Sequence, residues 1–313
     1  MYKPFTSIDE QVRLLASRGV ITDRDTPLLL AREGYYSVVN GYKDPFLDQE
    51  QTRMAGDDRY IPGTTFKDLH ALFLFDRDLR FLCFRTLTTA EALLRTACAY
   101  CFTQSHPDEP NAYLNPHNLD ERNANPRDLE YVLNELGRIV EHSRRSPGHG
   151  GKAYLYHCAM QHDGEIPLWV LVNDMTMGQL TSLFRVMTQE DRASVARYFE
   201  GLYGASHTGE IRIPPRKLDI IYRRIKDFRN ICAHDDRLYC AKPYNLNNSF
   251  FQLVQDLRIV TVKQRYLEFL QQTESLMMRV KKEIPSQAAA IISAMGVNGL
   301  GEFRDYMDQV RKS

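Results

Sequence analysis

Residues 65–103 read TFKDLHALFLFDRDLRFLCFRTLTTAEALLRTACAYCFT, the longest unbroken periodic stretch of the chain. Phe66, Leu69, Leu72, Phe73, Leu79, Leu82, Leu87, Ala90, Leu93 and Leu94 recur at helical spacing with no proline inside. Such spacing lines one face of a helix, whereas a half-buried strand alternates every second residue. The stretch therefore predicts one long core helix.

On its amino-terminal side, Ser7-Ile8-Asp9-Glu10 is a capping box ahead of Val12, Leu14 and Leu15, and Gly19 sits where that short helix should stop. A second short segment runs from Thr26 to about Gly34. Tyr35–Tyr42 is aromatic and turn-containing, and 49–63 is polar with glycine and proline. On the other side, 104–127 holds prolines and many Asn and Asp residues and reads as a loop. Helical patterns resume at 128–143, 168–187, 189–202, 215–234 and 250–283, with a break at Ser146–Gly151. Strand alternation is nearly absent, so the expected class is all-α: a helical module over 1–63, a helical core over 64–283, and a tail over 284–313 with a short charged helix.

Composition bounds the function without naming it. Acidic and basic residues balance at 40 each in 313 residues, so nucleic-acid binding has to rest on a local patch. The basic residues divide into 29 Arg and 11 Lys, a weak pointer to phosphate recognition. No apolar run reaches the roughly 18 to 20 residues of a membrane span, and the amino terminus lacks a signal peptide's apolar stretch, so a cytoplasmic protein away from membranes is expected. The six cysteines lie scattered through apolar segments and read as reduced, core-filling thiols; Cys98-Ala-Tyr-Cys101 is a lone pair inside the long helix. His157, Cys158 and His162 lack metal-ligand spacing on a credible scaffold, so neither metal nor cofactor is expected. Trp169, the single tryptophan, is read as a packed anchor.

The segment Lys217–His234 has apolar residues at 218, 221, 225, 228 and 232 and predicts an amphipathic helix. Asn230 and His234 stand four apart on it and face the same way, with Arg229 roughly 100° round from Asn230. RNA cleavage by its own 2′-hydroxyl needs such groups: an imidazole that titrates near neutrality, a permanent forked cation for the phosphate, and a polar residue to orient them. On spacing alone the same residues equally suit a solvent-facing helix end, where an imidazolium complements the helix dipole. About one Arg-x-x-x-x-His is expected by chance in this composition. Arg144 and His149 are such a match, but Ser146-Pro147-Gly148 between them breaks any helix, and the pair reads as loop.

Arg229-Asn-Ile-Cys-Ala-His-Asp-Asp-Arg-Leu-Tyr239 resembles the hallmark segment of the abortive-infection (Abi) proteins of the AbiD/AbiF type. Four further stretches agree in order: Pro4–Gly19, Tyr35–Tyr42, Thr89–Arg95 with its Glu-x-x-x-Arg, and Pro167-Leu-Trp-Val170 with Met177-Gly178; Met295-Gly296 is a weaker match. The resemblance implies membership of the HEPN superfamily, a helical bundle whose paired domains bring two Arg-x-x-x-x-His motifs together. One usable motif per chain then implies a homodimer with a composite site. It further implies that Arg229 binds the scissile phosphate, that His234 takes or gives the proton, that Asn230 positions His234, and that the products are a 2′,3′-cyclic phosphate and a 5′-hydroxyl.

Glu91 and Arg95, one turn apart, read either as an ordinary ion pair or as supports for the motif helix. Arg223, Arg224, Arg237 and Lys242 read either as solvated charges or as a basic rim for RNA. Asp235-Asp236, directly after His234, departs from the expected pattern and sets two carboxylates beside the site, where they would raise the histidine's pKa or repel phosphate. Two functions from different classes follow: a metal-independent endoribonuclease of abortive-infection or toxin-antitoxin type, with RNA as substrate and a noncoding RNA as the implied antitoxin, or a catalytically silent RNA-binding or scaffold protein of the same fold.

Overall fold

A computed structural model describes residues 5–146, 150–243 and 248–313. Among them the regular structure is helical, with three isolated β-bridges and no named strand, so the chain is all-α. The described residues divide into two compact units, one drawn from 1–84, 231–252 and 267–311, the other from 85–230, 253–266 and 312–313.

In the first unit, α1 (Ile8–Ser17) begins at the Ser7/Glu10 capping box and stops before Gly19, whose φ of +96° suits glycine. α2 (Thr26–Glu33) follows, then a π-helical turn at Tyr36–Asn40. The polar stretch after it contains a helix that spacing did not reveal: α3 (Gln49–Ala55) is capped by Asp48, whose carboxylate accepts from the N–H groups of Glu50 and Gln51, and ends at left-handed Gly56.

The long helix is α4 (Phe66–Ser105). Thr65 and Asp68 cap it reciprocally: Thr65 N–H donates to Asp68 Oδ2 at 2.8 Å, and Asp68 N–H to Thr65 Oγ1 at 3.2 Å. Pro107 lies just beyond its other end. The boundary between the units falls within this helix, between Phe84 and Arg85. The first unit is completed by most of α12 (Lys263–Glu283), by α13 (Ala288–Ala294) and by α14 (Leu300–Lys312) as far as Arg311; there Phe251 packs against Phe303 and Tyr306.

The second unit holds α5 (Pro126–Ser143), α6 (Ala153–Gln161), α7 (Leu168–Leu171), α8 (Met177–Val186), α9 (Gln189–Gly204) and α10 (Pro215–Ala233) as far as Asn230. Two stretches read as continuous helices are interrupted. The 168–187 stretch breaks because Thr176 and Gln179 form a capping box that starts α8 afresh. The 250–283 stretch divides into α11 (Phe250–Val260) and α12 at the β-branched run Ile259-Val-Thr-Val262, a poor helix-forming sequence. α10 is fastened through Tyr222, fully buried, whose hydroxyl donates to the Ala90 carbonyl at 3.0 Å and whose ring meets Phe199 edge-on at 5.7 Å.

Candidate functional site

α10 begins with Pro215 in its first turn, where a missing N–H costs nothing, and buries Leu218, Ile221, Tyr222, Ile225 and Phe228 along one face. Asn230 and His234 fall on exposed positions, and Arg229 is half-buried. The helix ends in a Schellman turn: Asp236 N–H donates to the Ile231 carbonyl at 3.0 Å, and Asp235 takes the left-handed conformation with φ +58°. His234 is thus the capping residue of the helix, one turn beyond Asn230. A left-handed residue is usually glycine there, and an aspartate holds it at some cost.

What holds the turn comes from α4. Arg80 Nη2 donates to Asp235 Oδ1 at 2.5 Å, and its Nη1 to Asp76 Oδ2 at 2.6 Å. Asp76 is 0% exposed and Arg80 3%. Four donors converge on the Asp76 carboxylate: Arg80, the Tyr42 hydroxyl at 2.8 Å, and the backbone N–H groups of Leu238 at 3.0 Å and Tyr239 at 2.7 Å. Burial pushes this carboxyl's pKa up, against the pull of Arg80 and the two N–H groups. The segment that follows the motif histidine is therefore clamped onto α4, and one of the two carboxylates beside the site pairs with Arg80, which Asp76 also engages. An open pocket of about 270 Å³ next to this turn is lined by Tyr36, Gly41, Tyr42, Arg80, Asp236 and Arg237 among others, so three separate stretches of sequence converge there.

Arg229 is held from the second half of α4. Its Nε lies 3.4 Å from Glu91 Oε2, while the other carboxylate oxygen of Glu91 accepts from Arg95 Nη2, and Arg95 Nη1 donates to the Val172 carbonyl. Glu91 is buried and Arg229 keeps 30% of its side chain exposed. Glu91 and Arg95 are thus an ion pair that also contacts the motif helix.

The other basic residues divide. Arg224 is only 11% exposed and paired with Asp256, so it lies inside the unit and forms no part of a rim. Arg223 pairs with Asp219 one turn away at 2.8 Å, Arg237 with Asp44 at 2.7 Å, and Lys242 is exposed. His149, partner of Arg144 in the second spacing match, lies outside the described residues, as does Pro4.

Trp169 corrects the reading of a packed anchor: it is 56% exposed, because α7 is a single turn that buries Leu168 and Leu171 and turns Trp169 outward. Cys83, Cys98 and Cys101 are buried and unpaired as disulfides, and burial pushes the Cys232 thiol up to about 12. Among the described residues no group of three or more His, Cys, Asp or Glu side chains could hold a metal ion. Nor is any of their helices long and apolar enough to cross a membrane.

Sequence reasoning missed Tyr42, Asp76 and Arg80 as supports of the histidine turn. The signal was present: Asp76 and Arg80 interrupt the apolar face of α4 at steps that continue from Leu69, Leu72 and Phe73.

Each unit of this all-α chain thus holds its own part of the Arg-Asn-x-x-x-His segment: Glu91 meets Arg229 in the second, and Asp76 and Arg80 fasten the turn after His234 in the first. The family described as Abi-like protein matches residues 28–240, more than half of the chain, and the chain belongs to it. That range runs from α2 through Cys240 and includes the motif; Ser7–Gly19 and Met295-Gly296 lie outside it. Membership points to a role of the abortive-infection kind. No curated protein and no solved structure matches the chain.

Proposed function

We propose that this protein is a metal-independent endoribonuclease of HEPN type, acting as a homodimer whose two helix ends share one phosphodiester. The observation that carries the reading is the end of α10. There an exposed imidazole sits on a hydrogen-bonded helix cap, one turn along the chain from an exposed Asn230, and Arg229 lies 3.4 Å from the Glu91 carboxylate. In the reaction the 2′-oxygen attacks phosphorus and the bond from phosphorus to the 5′-oxygen breaks, giving a 2′,3′-cyclic phosphate and a 5′-hydroxyl. One His234 takes the proton from the 2′-hydroxyl, and its copy from the second protomer gives one to the 5′-oxygen. Arg229 balances charge developing on the phosphoryl oxygens, and Asn230 orients the imidazole. Arg80, shared between Asp76 and Asp235, offsets part of the Asp235 charge, which lessens its repulsion of the incoming phosphate.

Growth arrest on expression tests the proposal, together with cleavage of total RNA in excess chelator and sequencing of the RNA ends. His234→Ala is expected to lower the cleavage rate by about 10² to 10⁴, and Arg229→Ala by about 10² to 10³, with the proteins folded and dimeric by light scattering. Wild-type cleavage by both variants would remove the catalytic assignment. RNA binding without cleavage by the wild-type protein would favour the silent RNA-binding reading, to which the engagement of Arg229 by Glu91 lends some support.

A further inference from the structure

Within the second unit, α4 and the 168–174 segment enclose an open cleft of about 590 Å³, within the range of small-molecule sites. Its floor is the stripe Ala92, Thr96, Ala99 and Thr103 of α4, small side chains that leave depth, and Tyr100 and Trp169 flank it, 57% and 56% exposed. Two large aromatic rings left half in solvent beside an apolar slot provide flat π surfaces for a planar ligand. Arg95 lines the cleft, but its two terminal nitrogens are already engaged, one by Glu91 and the other by the Val172 carbonyl, so it is not free to grip an anion there. The polar groups instead suit a heterocycle's edge. The Asn173 amide nitrogen already donates to the carbonyls of Trp169 and Val170 at 2.9 and 3.2 Å, which leaves its Oδ1 to accept from an amino or imino group. Thr103 and Gln104 add a hydroxyl and an amide that an aliphatic ligand would leave unmatched, while the Thr96 hydroxyl already donates to the Ala92 carbonyl at 3.2 Å.

We infer that this cleft is a nucleobase-binding site, holding a base of the RNA whose phosphate Arg229 engages; the inference rests on the endoribonuclease reading for the identity of that RNA. The link is short. The same Glu91 that pairs with Arg95 in the cleft wall reaches Arg229 with its other oxygen, so a base seated against Tyr100 and Trp169 lies one carboxylate away from the phosphate-binding arginine. Stacking is tolerant of sequence, because every base has a π face, and the cleft would therefore set affinity and register more than sequence choice.

Trp169 is the only tryptophan in the chain, so its fluorescence reports this cleft in the full-length protein. The probe is a 2′-O-methyl RNA hexanucleotide, which cannot be cleaved, with an otherwise identical abasic strand as control. The expected result is saturable quenching by the RNA and none by the abasic strand, with affinity lowered about 5- to 100-fold in Tyr100→Ala, the range that loss of one stacked base gives. Thr96→Phe, which fills the exposed floor without removing either aromatic ring, is expected to weaken quenching similarly. RNA bound by fluorescence anisotropy with unchanged Trp169 emission overturns the cleft and leaves the nuclease reading standing. Saturable quenching in a protein that cleaves no RNA supports the cleft and defeats the nuclease reading. If Trp169→Ala alters the oligomeric state in light scattering and leaves RNA affinity unchanged, the cleft is a face for a second copy and the inference falls.

Discussion

Arg80 and Asp235, 155 residues apart in the chain, meet at 2.5 Å, and through that contact α4 fixes the turn that carries His234. The two partners differ in environment: Arg80 is 3% exposed and the Asp235 side chain 75%. Removing the buried partner should therefore cost far more than removing the exposed one. Arg80→Ala leaves Asp76 buried without its cation and is expected to destabilise by about 3 to 5 kcal/mol. Asp235→Gly loses a largely solvated pairing and relieves the left-handed backbone, and should shift stability by less than about 1 kcal/mol. Urea unfolding midpoints compare them; equal losses would show that the clamp does not work as described.

Glu91 is shared between Arg95 and Arg229, so its charge matters to both. Glu91→Gln keeps the shape and removes the charge, at a cost of about 1.5 to 3 kcal/mol for the weakened charged hydrogen bond from Arg95. With Arg229 no longer oriented, kcat on RNA is expected to fall about tenfold or more while KM changes little, since the guanidinium stays available to phosphate. A rise in KM at unchanged kcat would mean that Glu91 serves binding alone.

The helical class and the motif helix were legible because they rest on local periodicity. α4 needed only its apolar steps, and those of α10 gave a helix that ends at Ala233, with Asn230 and His234 on exposed positions. What was not legible depends on tertiary partners. That Asp76 collects the N–H groups of Leu238 and Tyr239 requires knowing that the segment after the motif returns to α4. Arg224 looked like surface charge because nothing local reveals Asp256 beside it. Trp169 looked like core because tryptophan usually is, yet the turn of α7 and the small residues facing it decide otherwise. The interruptions at Thr176 and Thr261 were hidden by apolar periodicity that continues across both, although the Thr176-x-x-Gln179 cap was readable in the letters themselves.

Cys232 lies inside the motif, two residues before His234, and burial raises its thiol to about 12. A raised thiol pKa means the folded protein holds a proton that the unfolded chain gives up above about pH 8.5, so stability should decline as pH rises from about 9 towards 12. At pH 8 the thiolate fraction is on the order of 10⁻⁴, and iodoacetamide should modify Cys232 about 10³-fold more slowly in the native protein than in urea. Mass spectrometry of the 230–237 peptide measures this. Native labelling at the rate seen in urea would show the thiol to be exposed and ionised.

Gly296 gives the sharpest steric prediction. Its φ is +93°, and a Cβ built there would lie 2.3 Å from Ser249 Oγ and 2.6 Å from Ser249 Cβ. The Phe251 N–H donates to the neighbouring Met295 carbonyl at 2.9 Å, so the backbone cannot easily withdraw. Gly296→Ala should therefore destabilise by about 2 to 5 kcal/mol, combining backbone strain with overpacking. Ser249→Gly in the same chain removes both clashing atoms and should recover the packing part while leaving the strain. If the double variant is no more stable than Gly296→Ala, the close approach to Ser249 is not what makes the glycine necessary, and the left-handed backbone alone accounts for it.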